Sequence, residues 1–398
     1  MHIPRFTSAL LLARAVAAAP TAGTTCDSSL AELNDLVKQA ISTQEGILND
    51  RTAAANQTGQ TCTRDNLTVR RPWGSLSKPE RKAYTDAVLC LQSLPAKTPA
   101  SVAPGAKSRY DDFVATHIIQ TQTIHYTGTF LAWHRWFVYN FEQALKNECG
   151  YTGSQPYWNW ALYANDPASS PIFDGSAYSM SGNGAPIADK GPITLLLGDF
   201  APIELPAGTG GGCVTSGPFK DMQVNLGPVS LPLNNGTVVT GTGLEHNPRC
   251  LKRDISAGVN AAYANATSVV NLIRQHDNIG DFQMVMQGVP GSGSIGVHGG
   301  GHYTIGGDPA DDVFTSPGEP VFYLHHGMID LVWWTWQSLD YSNRRDAVSG
   351  TGTFLNSPPS PDTTLDDIVD LGYAGGGQIT MRELMSIQDG PFCYTYSL

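Results

Sequence analysis

The stretch PVFYLHHGMID (residues 320–330) is an apolar run that carries two adjacent histidines and one acid. We predict that it belongs to a helix from Val321 to Leu339. On such a helix His326 and Asp330 share one face, because they are four residues apart. A carboxylate in this position can orient a metal-binding imidazole, so we expect Asp330 to support His326. His325 points to another side of the helix and is expected behind the site or at its entrance.

A second histidine motif, HGGGH, lies upstream at residues 298–302. His298 and His302 are also four residues apart and would share one helix face. Each glycine between them costs roughly 1 kcal/mol of helix stability relative to alanine, which metal ligation can offset. The missing side chains are expected to leave space beside Gly299 for a flat substrate. Tyr303 is expected to line the mouth of that space.

A further triplet of histidines lies near the middle of the chain. The sequence predicts a helix over Ser108–Gln120 that carries His117, and a helix over Phe130–Cys149 that carries His134. His125 falls on the connecting loop. Neither triplet has a cysteine beside it, and three neutral imidazoles per ion suit copper or zinc. Two such triplets therefore predict a centre that holds two metal ions.

Two longer motifs carry a specific resemblance. The first motif, FLAWHRWF (residues 130–137), surrounds His134 and is followed by Glu142 and PYWNW (residues 156–160). The second motif is His-x3-His at residues 298–302, followed by Pro-x-Phe-x3-His-x3-Asp at residues 320–330. From about Arg70 to Tyr396 the chain resembles the tyrosinase/catechol oxidase (polyphenol oxidase) family of type-3 copper proteins. The resemblance implies a mainly α fold with a dicopper four-helix bundle core, long ordered loops and little β structure. It assigns one copper ion to His117, His125 and His134, and the other to His298, His302 and His326.

The resemblance also implies a reaction. The two copper ions use O2 to oxidise a catechol to its o-quinone, and the oxygen leaves as water. The partners are then a small phenolic substrate and O2. Phe322 is the expected aromatic shield packed near the ligands.

Two departures from the family pattern affect the expected activity. Relatives often join the second ligand to a cysteine two residues earlier; Thr123 stands there, so we predict no crosslink and a more mobile His125. Relatives that hydroxylate monophenols often have an asparagine after the first ligand of the second site and a glutamate shortly before it. Here Gly299 follows that ligand, and residues 287–297 contain no acid. Since a catechol depends less on a base, we predict catechol oxidation with weak or selective monophenol hydroxylation.

Three alternatives to this function remain open. One is a full tyrosinase that hydroxylates monophenols efficiently. Another is a haemocyanin-like O2 carrier, although the glycines at 299–301 favour a site that substrates can enter. The third is a zinc hydrolase, but the zinc-protease pattern His-Glu-x-x-His would require a glutamate where Gly299 stands.

The ends and the overall charge of the chain predict its compartment and exclude some partners. Residues 1–20 are predicted to be a signal peptide for secretion, with an apolar run from Phe6 to Ala19. Sequons for N-glycosylation agree with an extracellular location: Asn56, Asn66, Asn235 and Asn265. A net charge of −11 excludes a basic nucleic-acid surface, and no later run is long enough for a membrane span. The preferred phenol and the oligomeric state stay open.

Residues 21–398 are predicted to form a single catalytic domain, in which residues 165–247 are rich in loops. Other predicted helices cover residues 28–47, 78–91 and 260–275. A capping box at Ser77 opens the helix over residues 78–91. Seven cysteines should mostly pair in an oxidising compartment, with connectivity that the sequence does not determine.

In longer relatives a Tyr-x-Tyr motif precedes a capping domain that blocks the site. Tyr394–Tyr396 lies two residues before the end, so we expect activity without proteolysis.

Overall fold

The computed structural model describes residues 22–54, 62–233, 236–238 and 241–398. The predicted signal peptide and the sequons at Asn56 and Asn235 lie outside these ranges. The α-helices of the described part are α1 (Ala22–Ala54), α2 (Lys78–Ser93), α3 (Arg109–Ile124), α4 (Phe130–Cys149), α5 (Ala257–Tyr263), α6 (Ala266–Gln275), α7 (Ile279–Gln287), α8 (Gly296–Ile305), α9 (Phe322–Leu339) and α10 (Tyr341–Arg344).

The β-strands are two to four residues long, and within the described ranges they pair only as two-stranded sheets. They are β1 (Thr68–Arg70), β2 (Gly184–Pro186), β3 (Ile193–Leu195), β4 (Ile203–Leu205), β5 (Gly211–Val214), β6 (Gln223–Val224), β7 (Leu231–Leu233), β8 (Gly236–Val238), β9 (Arg249–Cys250), β10 (Ile368–Asp370), β11 (Gln378–Thr380) and β12 (Tyr394–Tyr396). The prediction of a mainly α fold with little β structure is confirmed. None of the described helices combines the length and apolar composition that a membrane span requires.

Local sequence signals determine where the central helices begin and end. Helix α2 starts at a capping box, in which the Ser77 hydroxyl accepts from the Glu80 N–H and the Glu80 carboxylate accepts from the Ser77 N–H. Ser108 and Asp111 form the same motif at the start of α3. Helix α4 ends at Gly150, whose left-handed φ of 67° suits a residue without a side chain.

The structure differs from the sequence prediction around residues 260–275. Two helices, α5 and α6, replace the single predicted one, because the Asn265 side chain accepts from the Ser268 N–H and starts a new helix. The Asn265 amide nitrogen also donates to the Ala261 carbonyl oxygen, and the side chain is buried. This geometry argues against glycosylation of the folded chain at Asn265. The short helix α7 was likewise not predicted from the sequence.

Four helices form the core that positions the histidines. Helix α3 packs against α4, α4 packs against α9, and α8 packs against α9. Helix α9 is buried along nearly all of its length, and the predicted core tryptophans Trp333, Trp334 and Trp336 lie within it. Helix α1 covers α9 on another side. The most apolar of the described helices is therefore the centre of the bundle.

Disulfides tie the loops to this core. Cys90 on α2 pairs with Cys149 at the end of α4, and Cys213 pairs with Cys250 within the loop-rich region. Cys393 pairs with Cys62, 331 residues earlier, and β1 lies parallel to β12 beside this bond. The described part of residues 165–247 contains short strands and no α-helix. This loop-rich region contributes one wall of the cleft described below.

Candidate metal centre

The first histidine triplet lies where α3 and α4 meet. His117 is on α3, His134 is on α4, and His125 is the residue that ends α3. The ring centroids of His117 and His134 are each 5.1–5.7 Å from the other rings of the triplet. All three side chains are buried, and one nitrogen from each lies within 4.8 Å of the others. The structure thus brings the three predicted ligands together.

The main chain orients each imidazole of the first triplet. The Nδ1 atoms of His117, His125 and His134 lie 2.8, 3.1 and 2.7 Å from the carbonyl oxygens of Phe314, Thr121 and Phe130. A carbonyl oxygen can only accept, so each Nδ1 carries the hydrogen and each Nε2 keeps a free lone pair. The rings are therefore held in the tautomer that a metal ion needs.

The second triplet is formed by two crossing helices. His298 and His302 lie one turn apart on α8, and His326 lies on α9. The His302 Nε2 atom is 3.2 Å from Nε2 of His298 and 3.3 Å from Nε2 of His326. All three side chains are buried. Their Nε2 atoms thus lie close together, as those of a metal site do.

His325 lies within reach of the second triplet but is placed to support it. Its Nε2 donates to the His298 carbonyl oxygen at 2.9 Å, and its Nδ1 accepts from the Trp160 Nε1–H at 3.3 Å. Both ring nitrogens are therefore occupied by the protein. The side chain is fully buried, which fits a position behind the site and excludes one at its entrance.

The three glycines of α8 serve packing more than open space. A Cβ at Gly301 would lie 2.1 Å from the His325 ring, and a Cβ at Gly300 would lie 2.7 Å from Cβ of Tyr263 on α5. Only Gly299 lines the cleft. A Cβ at Gly299 would itself lie 2.9 Å from Cβ of Ile295, so all three glycines allow close packing around α8 and the space expected beside Gly299 is not open.

Phe322 lies between the two triplets. Its ring centroid is 4.1 Å from that of His326 and 5.6 Å from those of His117 and His302. The rings of His134 and His326 stack across the triplets at 4.5 Å. The two clusters therefore form one contiguous centre with an aromatic wall, as expected for Phe322.

The environment keeps the imidazoles neutral. Burial lowers the pKa of every histidine in both triplets, and neighbouring rings lower it further for most of them. The pKa of His125 falls to about 4, and that of the supporting His325 falls to about 3. A neutral imidazole is the form that binds a metal ion.

Asp330 does not support His326 as predicted. Its carboxylate accepts from Nε of Arg135 at 2.6 Å and from the hydroxyls of Tyr394 and Tyr396, with Arg70 at 3.5 Å. Within the described residues, Nδ1 of His326 has no hydrogen-bond partner. His326 and Asp330 do lie one turn apart on α9. The carboxylate turns to Arg135 on α4 because a buried guanidinium attracts it more strongly than the neutral imidazole of His326 does.

A cleft leads from the surface to the centre. His125, His298 and His302 lie at its inner end together with Gly299, and Tyr303 forms part of its wall. Two other contributors were missed by the sequence analysis: the β3–β4 hairpin and Asp311. Neither belongs to a recognisable motif. Asp311 follows His302 by nine residues in a glycine-rich loop, and the hairpin lies in the loop-rich region.

The residues present fit two copper ions. The Nε2 atoms of His117 and His134 are buried without a hydrogen-bond partner, which is costly unless another group binds them. Each triplet offers three converging imidazole nitrogens, and no sulfur or carboxylate joins either set among the described residues. Such a donor set suits copper.

A helical bundle that encloses two adjoining imidazole triplets defines a type-3 dicopper protein. The family model described as the common central domain of tyrosinase matches residues 107–339, which include all six ligands. The chain belongs to the tyrosinase family, and its centre is the dicopper site that uses O2.

Named relatives and a solved structure agree with this assignment. The chain is 40% identical to "Tyrosinase P" of Aspergillus terreus, over 84% of this chain and 93% of the relative. It is 41% identical to "N-acetyl-6-hydroxytryptophan oxidase ivoB" of Emericella nidulans, over 85% and 94%. The structure of a mutant polyphenol oxidase from Thermothelomyces thermophila superposes with a TM-score of 0.87 at 48% identity, covering 92% of this chain and 98% of that one.

Proposed function

We propose that this protein is a secreted catechol oxidase that converts o-diphenols to o-quinones, with weak or selective hydroxylation of monophenols. One observation carries the proposal: the residues that flank the first ligand of the second triplet in the chain include no acid. Gly299 follows His298 at the inner end of the cleft, and the loop before it contains no acid. A monophenol needs a base to remove its proton, whereas a catechol ionises more readily.

Gln287 does not replace the missing acid. It lines the cleft, but its Oε1 accepts from the Tyr126 N–H at 2.7 Å and its Nε2 donates to the Gln283 carbonyl oxygen at 3.1 Å. The amide is thus held by the protein on both sides. Gln287 therefore offers no base for a monophenol.

Asp311 is the one acid that lines the cleft in the described part of the chain. Burial raises the pKa of its carboxyl well above the ordinary value, and nearby acids raise it further. Burial thus favours the neutral form of this carboxyl, which is not a base. If Asp311 nevertheless served monophenols, an Asp311→Asn variant would lose monophenol activity and keep catechol activity.

The chain's own residues bind and position the reactants. The six imidazoles hold the two copper ions, which supply electron transfer from substrate to O2. The buried helices exclude water from the centre, as does the buried Phe322 ring between the two triplets. The cleft admits the diol edge of a catechol to the side on which His125, His298 and His302 lie. Two catechols and one O2 give two o-quinones and two water molecules, which balances four electrons and four protons.

One alternative has specific support and another does not. The names of the relatives include a tyrosinase and an oxidase of a hydroxylated tryptophan, so efficient turnover of other phenols is the second candidate. An O2 carrier would need substrates kept out, and the open cleft argues against it. Secretion is supported by the apolar leader in the sequence and by the three disulfides, which are typical of oxidising compartments.

The test is O2 uptake by the purified, copper-loaded protein with 4-methylcatechol and with 4-methylphenol. We expect prompt uptake with the catechol, and no uptake or a long lag with the phenol. A His298→Ala variant controls for reaction by free copper. Prompt uptake with both substrates would make the enzyme a tyrosinase. Bound O2 without turnover of either substrate would favour a carrier.

A further inference from the structure

The β3–β4 hairpin is fixed over one side of the cleft. Ile193 pairs with Leu205 across it, and both side chains are buried in a small apolar cluster with Val259 of α5 and Ile295. Tyr303 of α8 packs against the same cluster. The base of the hairpin is thus attached to the helix that carries His298 and His302, so its tip keeps a defined position at the mouth.

The tip of the hairpin presents apolar side chains to the mouth of the cleft. Leu196 is 58% exposed and Phe200 is 45% exposed, and both line the cleft. The Phe200 ring leans across the mouth, since a Cβ at Gly291 would lie 3.0 Å from it. Val289 and Val313 on the opposite rim are also exposed. Exposed apolar groups gathered in one place commonly mark a binding surface.

Away from the copper centre at its inner end, the walls of the cleft offer no positive charge in the described part of the chain. Neither a lysine nor an arginine lines it in the described part of the chain, and its one acid is Asp311. The nearby Asp254 and Asp308 are paired with Lys190 and Arg249. Asp311 has no cation: its Oδ2 accepts from the Gly307 N–H at 2.7 Å, and its buried Oδ1 has no partner.

A carboxylate on a substrate would therefore enter the cleft unpaired. Burial raises the pKa of the Asp311 carboxyl, and Asp254, Asp308 and Asp312 raise it further. Whether protonated or ionised, the Asp311 carboxyl cannot form an ion pair with a substrate carboxylate. Desolvating that carboxylate without a partner is costly.

We propose that this cleft selects catechols whose ring substituent is uncharged, apolar and bulky, and that it disfavours catechols bearing a carboxylate. The substituent lies against Leu196 and Phe200 while the diol reaches the copper centre. This inference rests on the proposed oxidation of catechols and names the class of substrate. It makes the hairpin tip a specificity determinant that no ligand motif reveals.

The first test separates charge from shape. O2 uptake at pH 7 is measured with 3-(3,4-dihydroxyphenyl)propionic acid and with its methyl ester, which have the same ring and nearly the same size. We expect kcat/KM for the ester to exceed that for the acid by about tenfold or more. Equal values for the acid and the ester would overturn the part of the proposal that concerns charge.

The second test removes the apolar tip. A Leu196→Ser/Phe200→Ser variant is compared with an Ile368→Ser variant, because Ile368 is 57% exposed on β10 and does not line the cleft. We expect the ratio of kcat/KM for 4-tert-butylcatechol to that for catechol to fall about tenfold in the first variant, mainly through KM. The second variant should keep the ratio of the unmodified protein. Copper content, measured for each variant, verifies that the centre is intact.

The outcomes distinguish the inference from the proposed function. Turnover of catechol with no change of the ratio in the hairpin variant overturns the inference alone. No uptake with any catechol overturns the proposed function and the inference with it. Preference for the ester in the unmodified protein, together with a preference for 4-tert-butylcatechol that is lost in the hairpin variant, supports both.

Discussion

The two histidine triplets bind equivalent ions but are held in different ways. In the first, each Nδ1 donates to a main-chain carbonyl oxygen, and two of these carbonyls lie four residues earlier in the chain. In the second, Nδ1 of His326 has no such partner in the described part, and the rings are fixed by contacts with Phe322 and His325. One triplet is oriented by the backbone and the other by packed side chains.

This difference predicts how each triplet responds to substitution. Backbone carbonyls cannot be removed by changing a side chain, so the first triplet should tolerate changes around its ligands. The second triplet depends on the position of His325, which fits only because Gly301 has no Cβ. Side-chain partners beyond the ligands typically change metal affinity by about 10–100-fold. Substitutions that displace His325 should therefore weaken binding of copper to the second triplet and leave binding to the first triplet unchanged.

The largest effect is expected from removing a ligand in each triplet. His134→Ala and His302→Ala should each lower the rate of O2 uptake by more than about 100-fold, exceeding the range for supporting residues. Each variant should retain close to one copper ion per chain, because the intact triplet keeps its three imidazoles. Atomic absorption and O2 uptake measure both quantities. Loss of both ions in either variant would show that the triplets do not assemble independently.

The next effect concerns a polar network shared by both triplets. Asp330 on α9 accepts from Arg135 on α4, so it joins the helices that carry His326 and His134. Replacing Asp330 with alanine should destabilise the protein by about 3–5 kcal/mol, because it leaves the buried guanidinium of Arg135 without a carboxylate partner, whereas Arg70 keeps Glu142. Urea denaturation measures this loss. A change below about 1 kcal/mol would show that the network does not join the two halves.

The same network predicts a pH dependence. Burial acts to raise the pKa of Asp330, but Arg135 and Arg70 outweigh it, and the pKa in the folded state is lowered. The stabilisation is therefore present above the pKa of an unfolded aspartate and is lost as the pH falls through the lower folded value. Asp330→Asn should flatten the decline of the free energy of unfolding in acid. An unchanged decline would place its origin in other carboxylates.

The sequence predicted the ligands better than the residues that hold them. Histidine spacing and helix periodicity reveal which imidazoles face the same way, so the positions of His298 and His302 followed from local rules. The bond from His117 to the carbonyl oxygen of Phe314 joins residues 197 apart, and no local pattern indicates it. Asp330 was misassigned for the same reason, since its partner Arg135 is 195 residues away. The cleft wall likewise depends on how the loop-rich region folds back.

A smaller effect is expected at Gly301. An alanine there would place its Cβ 2.1 Å from the His325 ring, so either the ring or α8 must move. We expect weaker binding of the second copper ion by about tenfold or more, with the first unchanged. Gly46→Ala is the matched control, because Gly46 lies in α1 with open space around its Cα. That control should gain roughly 0.5–1 kcal/mol of stability from the helix preference of alanine. Equal copper affinity in both variants would refute the role of His325.

The smallest effect is expected from the outermost support of the second triplet. Trp160→Phe removes the Nε1–H that donates to Nδ1 of His325 but keeps an aromatic ring in the core. The cost should be about 1 kcal/mol in stability, with a loss of affinity for the second copper ion of less than about tenfold. Trp73→Phe is the matched control, since the buried Trp73 donates to the Pro171 carbonyl oxygen away from the centre. Both variants should lose similar stability, and only Trp160→Phe should weaken copper binding. Equal weakening of copper binding in both variants would show that general destabilisation controls the second triplet. The hydrogen bonds from Trp160 to His325 and from His325 to His298 would then have no specific role.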